Sequence, residues 1–400
     1  MADHLRVAVT GKVLQRNVGG NTTYAEMLYR HLAGYGVTAS VLTPPGDRLG
    51  GLARALSYAA VEGLYWPRTV GEKQADLLHF PADTGALIPG RLPTVVTVHG
   101  VSGHRVPGIR RALWERTWLA RVGRLTRAAD AVVTVSRSSA GEIQRIFGVP
   151  HQRLHVIPHG VDTERFHPDA SRDAPLLAPL RLPERFVLHL GNLDPRKNVP
   201  ALVDAIGRLQ IASSGVRLVV AGGSFLGSEP IERLLATTPY VRYLGQVPAE
   251  LVAPLLRAAA VFVLPSSHEG FGLPIVEAMA CGTPVITSDR GALPEVAGDA
   301  AILLRDLDPA SIAAAVRDVL TDDALATDLR VRGTANARRF TWDESARRHL
   351  ELFTHLRPGR GRSHSSAARG KTSGVLPRAG TAPLRPGKAT IQRGPRRGTA

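Results

Sequence analysis

The 400-residue sequence has a single cysteine, Cys281, three methionines and few aromatic residues, 5% in all. One cysteine excludes a disulfide within the chain and a metal site built from several thiolates. No stretch approaches the roughly 18 apolar residues of a membrane-spanning helix, and the first residues lack the apolar segment of a secretion signal. We therefore expect a protein of the reducing cytoplasm, either soluble or held peripherally at the inner face of the membrane.

Acidic residues are also scarce, since 34 Asp and Glu stand against 50 Lys and Arg, for a formal net charge of +16. Most of this excess is local: residues 357–400 contain eleven basic residues and no acidic one, and residues 104–127 are also strongly basic. The segment 357–400 has too few large apolar residues to offset the entropy of ordering it. We predict a disordered basic tail and no nucleic-acid partner, because the remainder is close to neutral.

The rest of the chain alternates short β-branched runs with amphipathic segments of helix length, which is typical of doubly wound α/β domains. The predicted strands fall into two sets, 5–10, 39–42, 77–80, 94–98, 131–135 and 154–157, then 185–190, 217–221, 241–244, 260–264, 284–287 and 301–304. Between the sets the pattern breaks in a proline-rich segment. The predicted organisation is an N-terminal domain, a linker, a C-terminal domain, a helix and the tail, at residues 1–165, 166–184, 185–340, 341–356 and 357–400.

The most informative stretch is 266–286, in which Glu269 and Glu277 are separated by seven residues. Pro274 lies where a helix can begin, because its missing N–H costs nothing in the first turn. The stretch therefore predicts a strand, a glycine loop carrying Glu269, and a helix with Glu277 in its first turn. Ligands of open α/β sheets bind at such strand ends, and two carboxylates suit the hydroxyls of a sugar or ribose. An isolated pair of this kind would be solvated acids favoured by the helix dipole.

The run Glu-Gly-Phe-Gly-Leu-Pro-Ile-Val-Glu-Ala-Met-Ala-Cys-Gly-Thr-Pro-Val-Ile, residues 269–286, resembles the signature of retaining, nucleotide-sugar-dependent glycosyltransferases of family 4. The resemblance implies the GT-B fold, in which two Rossmann-like, doubly wound parallel-sheet domains face each other across a cleft. It also implies that the last helix, 341–356, crosses back to the N-terminal domain. The implied reaction passes a hexose, for which we expect mannose or glucose, from a nucleotide-diphosphate sugar to a glycan, lipid-linked or small-molecule acceptor with retention.

In this resemblance Glu269 lies near the hydroxyls of the transferred sugar and Glu277 binds the ribose. The loop between them lies beside the sugar and diphosphate and contributes backbone donors, at Gly270, Phe271, Gly272 and Leu273. The resemblance also implies that the glycine turns 222–224 and 245–247 lie at the base side of the nucleotide pocket.

Arg196 and Lys197 follow the predicted strand 185–190 at a glycine turn that opens a helix. Two cations at a helix N-terminus make an anion site, although an Arg-Lys pair by itself is common on surfaces. The matching pair in the family grips the diphosphate. We expect no obligatory metal ion, since no His/Asp cluster has metal-ligand spacing and no Asp-x-Asp ends a strand.

Two features of the N-terminal domain face the same predicted cleft. Gly19 and Gly20 follow the first strand and allow backbone N–H groups to approach a phosphate, the alternative being an ordinary turn. His99 ends the strand 94–98, where a histidine is typical of a site residue. The resemblance agrees on the glycine loop, and His99 becomes a candidate for catalysis and sugar binding. Many relatives have aspartate at the next position, where this sequence has Gly100.

Three further patterns remain open. Ser136 and Arg137 either cap a helix or border the cleft, and His159 stands where the family's Asn-Gly-Val-Asp begins with asparagine. The segment with Arg110, Arg111, Trp114, Trp118, Val122 and Leu125 is either a core helix or lies on an anionic membrane surface. The alternative function is a catalytically silent protein that binds a nucleotide sugar or glycan. No Gly-x-Gly-x-x-Gly follows the first strand, which argues against a dinucleotide oxidoreductase.

Overall fold

A computed structural model describes residues 4–11, 13, 19–43, 57, 59–83, 85–101, 109–211, 215–225 and 227–357, without the side chains of 109–115 and 210–211. The N-terminal half contains six strands, β1 Leu5–Thr10, β2 Val37–Leu42, β3 Leu77–Phe80, β4 Thr94–Val98, β5 Ala131–Thr134 and β6 Leu154–Val156. They form one parallel sheet in the order β2-β1-β3-β4-β5-β6.

The C-terminal half repeats this plan with six more parallel strands, β7 Phe186–Leu190, β8 Arg217–Ala221, β9 Val241–Tyr243, β10 Val261–Leu264, β11 Val285–Ser288 and β12 Ile302–Leu304. Their order is β12-β11-β10-β7-β8-β9, the strand order of a Rossmann fold. The predicted fold class, α/β with two doubly wound parallel sheets, is confirmed. Observed and predicted strand bounds differ by at most two residues.

Most helices lie between strands along the chain, and the last three follow β12. They are α1 Gly20–Gly34, α2 Trp66–Thr69, α3 Ile109–Ala128, α4 Arg137–Phe147, α5 Asp173–Leu177, α6 Val199–Ile211, α7 Glu229–Thr237, α8 Ala249–Ala258, α9 Leu273–Ala280, α10 Leu293–Ala297, α11 Pro309–Thr321, α12 Asp323–Ala337 and α13 Trp342–Leu356. A π turn, Val61–Tyr65, precedes α2, and 3-10 turns lie at His151–Arg153, Ala178–Leu180 and Pro195–Lys197. In the described part of the chain no helix is long and apolar enough to cross a membrane.

Both sheets are covered on two faces, which is why their strands read as continuous apolar runs. In the N-terminal half, Val7 and Val95 pack in one cluster with residues of α1 and α13, whereas Ala8 and Val96 pack in another with residues of α3 and α4. The C-terminal sheet likewise separates two clusters. All strand carboxyl ends of a parallel sheet lie at one edge, and this edge positions the loops described below.

The two halves are connected by chain in two places. The segment 166–184 carries α5 and a 3-10 turn, and its buried Asp173 pairs with Arg257 of α8 at 2.6 Å. The chain returns at Thr341, which forms an isolated parallel bridge with Val161. Beside this bridge, a Cβ on Gly160 would lie 2.1 Å from the backbone nitrogen of Trp342, so only glycine fits there. Helix α13 then packs into the core of the N-terminal half.

Candidate active site

The glycine loop between β10 and α9 carries Glu269, and α9 itself carries Glu277. Gly272 precedes α9 at φ 95°, in the left-handed region, where a Cβ would also lie 2.7 Å from Leu293. Pro274 lies in the first turn of α9, as predicted. The prediction that Glu277 lies in the first turn was wrong by one residue: the first turn of α9 contains no acidic residue, and Glu277 is the fifth residue of the helix. The helix begins at Leu273, one residue before the proline.

Glu269 is held by two partners at the carboxyl end of β10. The hydroxyl of Ser266 donates to Oε1 of Glu269 at 3.0 Å, and Nζ of Lys197 lies 3.5 Å from the same oxygen. The side chains of Glu269 and Lys197 are 17% and 11% exposed, so the pair is only partly screened by water. The structure thus brings together one predicted sugar-side acid and one predicted phosphate-side cation.

Arg196 is fixed by Asp194, a residue to which the sequence assigned no role. Asp194 is 2% exposed, caps the 3-10 turn through the backbone N–H of Arg196 at 2.9 Å, and accepts Nε and Nη2 of Arg196 at 3.0 and 2.8 Å. Both of these guanidinium nitrogens donate to Oδ2 and the backbone N–H donates to Oδ1, so one carboxylate holds both the turn and the side chain of Arg196. The 3-10 turn Pro195–Lys197 therefore presents two cations from one short segment.

The carboxyl group of Glu277 lies in surroundings that disfavour its charged form. Burial penalises the carboxylate more than Arg165 stabilises it, and the pKa of Glu277 is raised to about 7. A carboxyl group with this pKa changes charge in the physiological range. Hydrogen bonds from two ligand hydroxyls would favour its ionised form.

The two glycine turns predicted on the base side lie against each other. The N–H of Gly222 donates to the carbonyl of Gly245 at 2.7 Å, and a Cβ on Gly222 would lie 1.9 Å from the carbonyl oxygen of Gly191. Tyr243 donates its hydroxyl to the carbonyl of Gly222 at 3.0 Å. The loops after β7, β8 and β9 are therefore joined into one backbone surface.

The N-terminal glycine loop reaches the loop of the other half. Gly19 has φ 92° and precedes α1, and no heavy atom lies within 4 Å of a Cβ placed on it. A Cβ on Gly20 would lie 3.7 Å from Cδ1 of Leu273. The predicted donor residues of the two halves thus meet at this point.

His99 is neutral and has one ring nitrogen available. Its Nε2 lies 2.9 Å from the carbonyl oxygen of Pro81 and donates to it, and burial lowers the pKa of His99 to about 4. Within the described part of the chain, no group bonds to the buried Nδ1. In this tautomer Nδ1 is an acceptor, which suits a sugar hydroxyl.

Direct contacts join the end of β4 and the start of α4 to the glycine loop. A Cβ on Gly270 would lie 1.9 Å from the carbonyl oxygen of His99. The hydroxyls of Ser136 and Ser139 donate to the carbonyl of Gly270 at 2.8 and 3.2 Å. Ser136 also caps α4, so the predicted helix cap is confirmed. Gly270, which lies between Glu269 and Glu277 in the sequence, is thus hydrogen-bonded to the N-terminal half.

Glu295 of α10 makes a second contact of this kind. Its carboxylate accepts the backbone N–H groups of Arg137 and Ser138 at 2.9–3.2 Å and lies 3.7 Å from Nε of Arg137. A carboxylate at the N-terminus of α4 is favoured by the helix dipole. Sequence periodicity gives no signal for such a contact, because the partners are far apart in the chain.

A chain of buried hydrogen bonds lies near His99, and no sequence pattern predicts it because its members are far apart along the chain. Nδ1 of His349 donates to a backbone carbonyl at 2.7 Å, so its Nε2 must accept. This assignment determines the donor and the acceptor in each of the other hydrogen bonds of the chain. From donor to acceptor the order is Tyr29, His79, Thr97, Tyr24, His349 and the carbonyl of Ser345. Tyr24 belongs to α1, so this chain fixes the helix that follows the N-terminal glycine loop.

The ring of His159 stacks on the ring of His99, with the ring centres 5.3 Å apart, and meets the ring of Phe271 edge-on at 4.9 Å.

The basic helix α3 has a core side and a charged side. Val122 and Leu125 are buried, and Trp118 packs against them, as the core interpretation predicts. Arg116, Arg124 and Arg127 are exposed. The side chains of Arg110, Arg111 and Trp114 lie outside the described part. Among the residues that are described, no group of three or more His, Cys, Asp or Glu is placed to hold a metal ion.

Comparison with known proteins agrees with this geometry. Residues 18–165 match the family described as Glycosyltransferase Family 4, and residues 184–322 match Glycosyl transferases group 1. The two matches together cover more than half of the chain. The protein belongs to this glycosyltransferase family. The resemblance carried by residues 269–286 is thereby confirmed.

Two relatives of this glycosyltransferase are similar over part of their length. O-antigen chain mannosyltransferase B of Escherichia coli is 32% identical over 234 residues, which are 57% of this chain and 61% of the relative. D-inositol 3-phosphate glycosyltransferase of Xylanimonas cellulosilytica is 35% identical over 250 residues, which are 58% and 59%. The chain therefore spans about three fifths of the length of these relatives.

Solved structures support the GT-B fold of this glycosyltransferase. Sucrose-phosphate synthase from Thermosynechococcus elongatus superposes with a TM-score of 0.72 at 24% identity, covering 88% of this chain and 99% of the other. Anabaena HepE in complex with UDP-glucose superposes with a TM-score of 0.67 at 20% identity, covering 88% and 100%. At these identities the likeness concerns the fold.

Proposed function

We propose that this glycosyltransferase moves a hexose from a nucleotide-diphosphate sugar to a hydroxyl of a glycan, lipid-linked or small-molecule acceptor, with retention at the anomeric carbon. The observation that carries the proposal is the 3.5 Å pair of Lys197 and Glu269 beside the fixed Arg196. A sugar diphosphate needs cations at its phosphates and acceptors around its ring within a few ångströms of each other. The name of the Escherichia coli relative supports mannose, and the UDP-glucose bound by HepE supports glucose.

In the proposed step the bond between the anomeric carbon and the diphosphate oxygen breaks, and a bond to the acceptor oxygen forms on the same face. The leaving diphosphate keeps the electron pair and takes the acceptor's proton, so no carboxylate nucleophile is required. Arg196 and Lys197 neutralise the charge that develops on the diphosphate. Glu269 and Nδ1 of His99 accept hydrogen bonds from sugar hydroxyls, and Glu277 accepts those of the ribose. Backbone groups of Gly19, Gly20 and the loop 270–273 lie beside the phosphates and sugar.

We propose further that transfer needs no divalent cation, because Arg196 and Lys197 already supply two positive charges at the diphosphate. Turnover in excess EDTA is expected to equal that in Mg²⁺ or Mn²⁺. A loss in EDTA that either metal restores would contradict this part alone.

Exposed arginines on α3 support a lipid-linked acceptor. Arg116, Arg124 and Arg127 are exposed on one side of α3, opposite the buried Val122 and Leu125. Such a charged face is attracted to anionic lipid. We propose that the protein works in the cytoplasm, at the inner face of the membrane when its acceptor is lipid-linked. Sedimentation with phosphatidylglycerol vesicles but not with phosphatidylcholine vesicles is the expected result.

The enzymatic proposal is tested by donor screening followed by turnover. UDP-, GDP- and ADP-sugars are compared by thermal shift, and release of nucleoside diphosphate is then measured with the best donor. Glu269→Ala is expected to lower turnover about 10²- to 10³-fold, as removal of a group that stabilises the transition state does. Glu250→Ala removes an exposed carboxylate on α8 and is the matched control.

The alternative, a catalytically silent binding protein, predicts a donor-dependent thermal shift with no nucleotide release on any acceptor. If Glu269→Ala turned over at the wild-type rate, the role proposed for Glu269 would be contradicted instead. The two outcomes are distinguishable because the first concerns the wild-type protein and the second only the variant.

A further inference from the structure

A cavity of about 500 Å³ lies where the two halves meet, beside the chain connections. Its walls include Arg137 at the start of α4, Glu295 of α10, Arg339 and Phe340 after α12, and Arg348 of α13. Phe271 lies in the wall toward the glycine loop. We call this the hinge cavity. Its volume is within the range of pockets that take small molecules.

The charges around the hinge cavity do not balance. Glu295 is engaged by the N-terminus of α4, as described above. Arg339 donates to the side-chain oxygen of Asn336 at 2.8 Å, and Arg348 donates to the carbonyl of Val156 at 2.7 Å. In the described ranges no carboxylate pairs with Arg339 or Arg348 within 4.0 Å. Three guanidinium groups therefore face a single acid.

The remaining wall is apolar and separates this cavity from the proposed donor site. Phe271 is 5% exposed, and its ring packs edge-on against His159 at 4.9 Å and Phe340 at 5.5 Å. The ring thus faces the hinge side of the glycine loop. Of the charged residues assigned to the donor, Arg196, Lys197, Glu269 and Glu277, none lines the cavity.

We propose that the hinge cavity is a second binding site, for a small molecule that carries a phosphate or carboxylate on an apolar or ring-shaped body. Arg339 and Arg348 hold the anion, because a guanidinium with free donors binds such groups through charge-assisted hydrogen bonds. Phe271 and Phe340 contact the body of the ligand. Arg137 also lines the cavity, so the occupant lies on the contact between Arg137 and Glu295 that joins the halves.

Titration calorimetry of the full chain with phenyl phosphate, at 0.15 M salt, tests this site without reference to glycosyl transfer. Saturable binding of one equivalent is expected, with phenol at least about tenfold weaker because it lacks the anion. Arg339→Gln is expected to weaken phenyl phosphate about tenfold or more. Arg338→Gln changes the exposed neighbouring arginine, which does not line the cavity, and is expected to bind like the wild type.

Arg348→Lys retains the charge but not the planar fork, and an intermediate affinity is expected. Arg196→Gln is expected to leave the affinity for phenyl phosphate unchanged, which separates this site from the donor site. Absence of saturable binding to the wild type would overturn the proposal. So would equal losses in Arg338→Gln and Arg339→Gln, or displacement of phenyl phosphate by the nucleoside diphosphate of the preferred donor. Circular dichroism of each variant shows whether a loss arises from misfolding.

Discussion

The hydroxyl of Ser136 donates to the carbonyl oxygen of Gly270 at 2.8 Å, across the boundary between the two halves. Gly270 directly follows Glu269, so this hydrogen bond ties the proposed sugar-side acid to the N-terminal half. The same hydroxyl oxygen accepts the backbone N–H of Ser139 at 3.0 Å. One side chain thus caps the N-terminus of α4 and holds the loop of the other half.

Ser136→Ala is expected to lower kcat/KM for nucleotide release about three- to tenfold, since one hydrogen bond contributes about 0.5–1.5 kcal/mol. Ser139 still donates to Gly270, which limits the loss. The lost helix cap is expected to cost about 1 kcal/mol of stability. Ser138→Ala, whose side chain is not part of these contacts, is the control. Equal kcat/KM in the two variants would show that the contact does not position the loop.

Asp194→Asn is expected to raise KM for the donor about tenfold and to change kcat less. The buried carboxylate fixes the guanidinium of Arg196 by accepting two of its N–H groups. The side-chain amide of asparagine is uncharged, so its hydrogen bonds to the guanidinium are weaker. Steady-state kinetics with varied donor measure this difference. Asp204→Asn breaks the exposed pair with Arg208 on α6 and provides the comparison. A fall in kcat at unchanged KM would place the role of Asp194 in the chemical step instead.

Binding of the donor sugar is expected to strengthen about tenfold between pH 6 and pH 8. With a pKa raised to about 7, Glu277 is mainly protonated at pH 6 and mainly ionised at pH 8. Only the ionised form accepts hydrogen bonds from both ribose hydroxyls without a competing proton. Calorimetry with a nucleotide sugar, whose phosphates do not titrate in this range, measures the effect. Glu277→Gln should bind equally at both pH values, and a slope that persists in it would assign the titration elsewhere.

The fold is expected to lose stability as pH falls from about 6.5 to 4. Burial lowers the pKa of His349 to about 4 from its ordinary 6.5, so in this window the unfolded chain binds a proton that the folded chain does not. The loss is on the order of 2 kcal/mol for this residue at pH 5. Thermal unfolding at pH 7.5 and 5.0 measures it. His349→Gln should show a smaller difference in Tm, whereas His151→Gln, exposed before β6, should keep it.

The sequence predicted elements whose signals are local. The strands of both sheets, the helix near Pro274 and the cations Arg196 and Lys197 follow from runs of a few residues. The contacts that organise the site join distant positions, such as Ser136 with Gly270 or Glu295 with the N-terminus of α4. A serine before a helix predicts a cap, but its second partner depends on how the halves pack. Glu277 was placed in the first turn because the helix was expected to begin at Pro274, whereas α9 begins one residue earlier, directly after Gly272.

The bridge between Val161 and Thr341 sets the way the halves can move. Two stretches of backbone run side by side between them there, held by this bridge and by the close approach of Gly160 to Trp342. A single connection would let the two halves twist and slide relative to each other. Two connections side by side oppose both movements, so the halves can still bend about the line that joins the two stretches. We therefore expect the cleft to open mainly by bending about one axis. Gly19 and Gly20, at the start of α1, would follow that rotation with the N-terminal half.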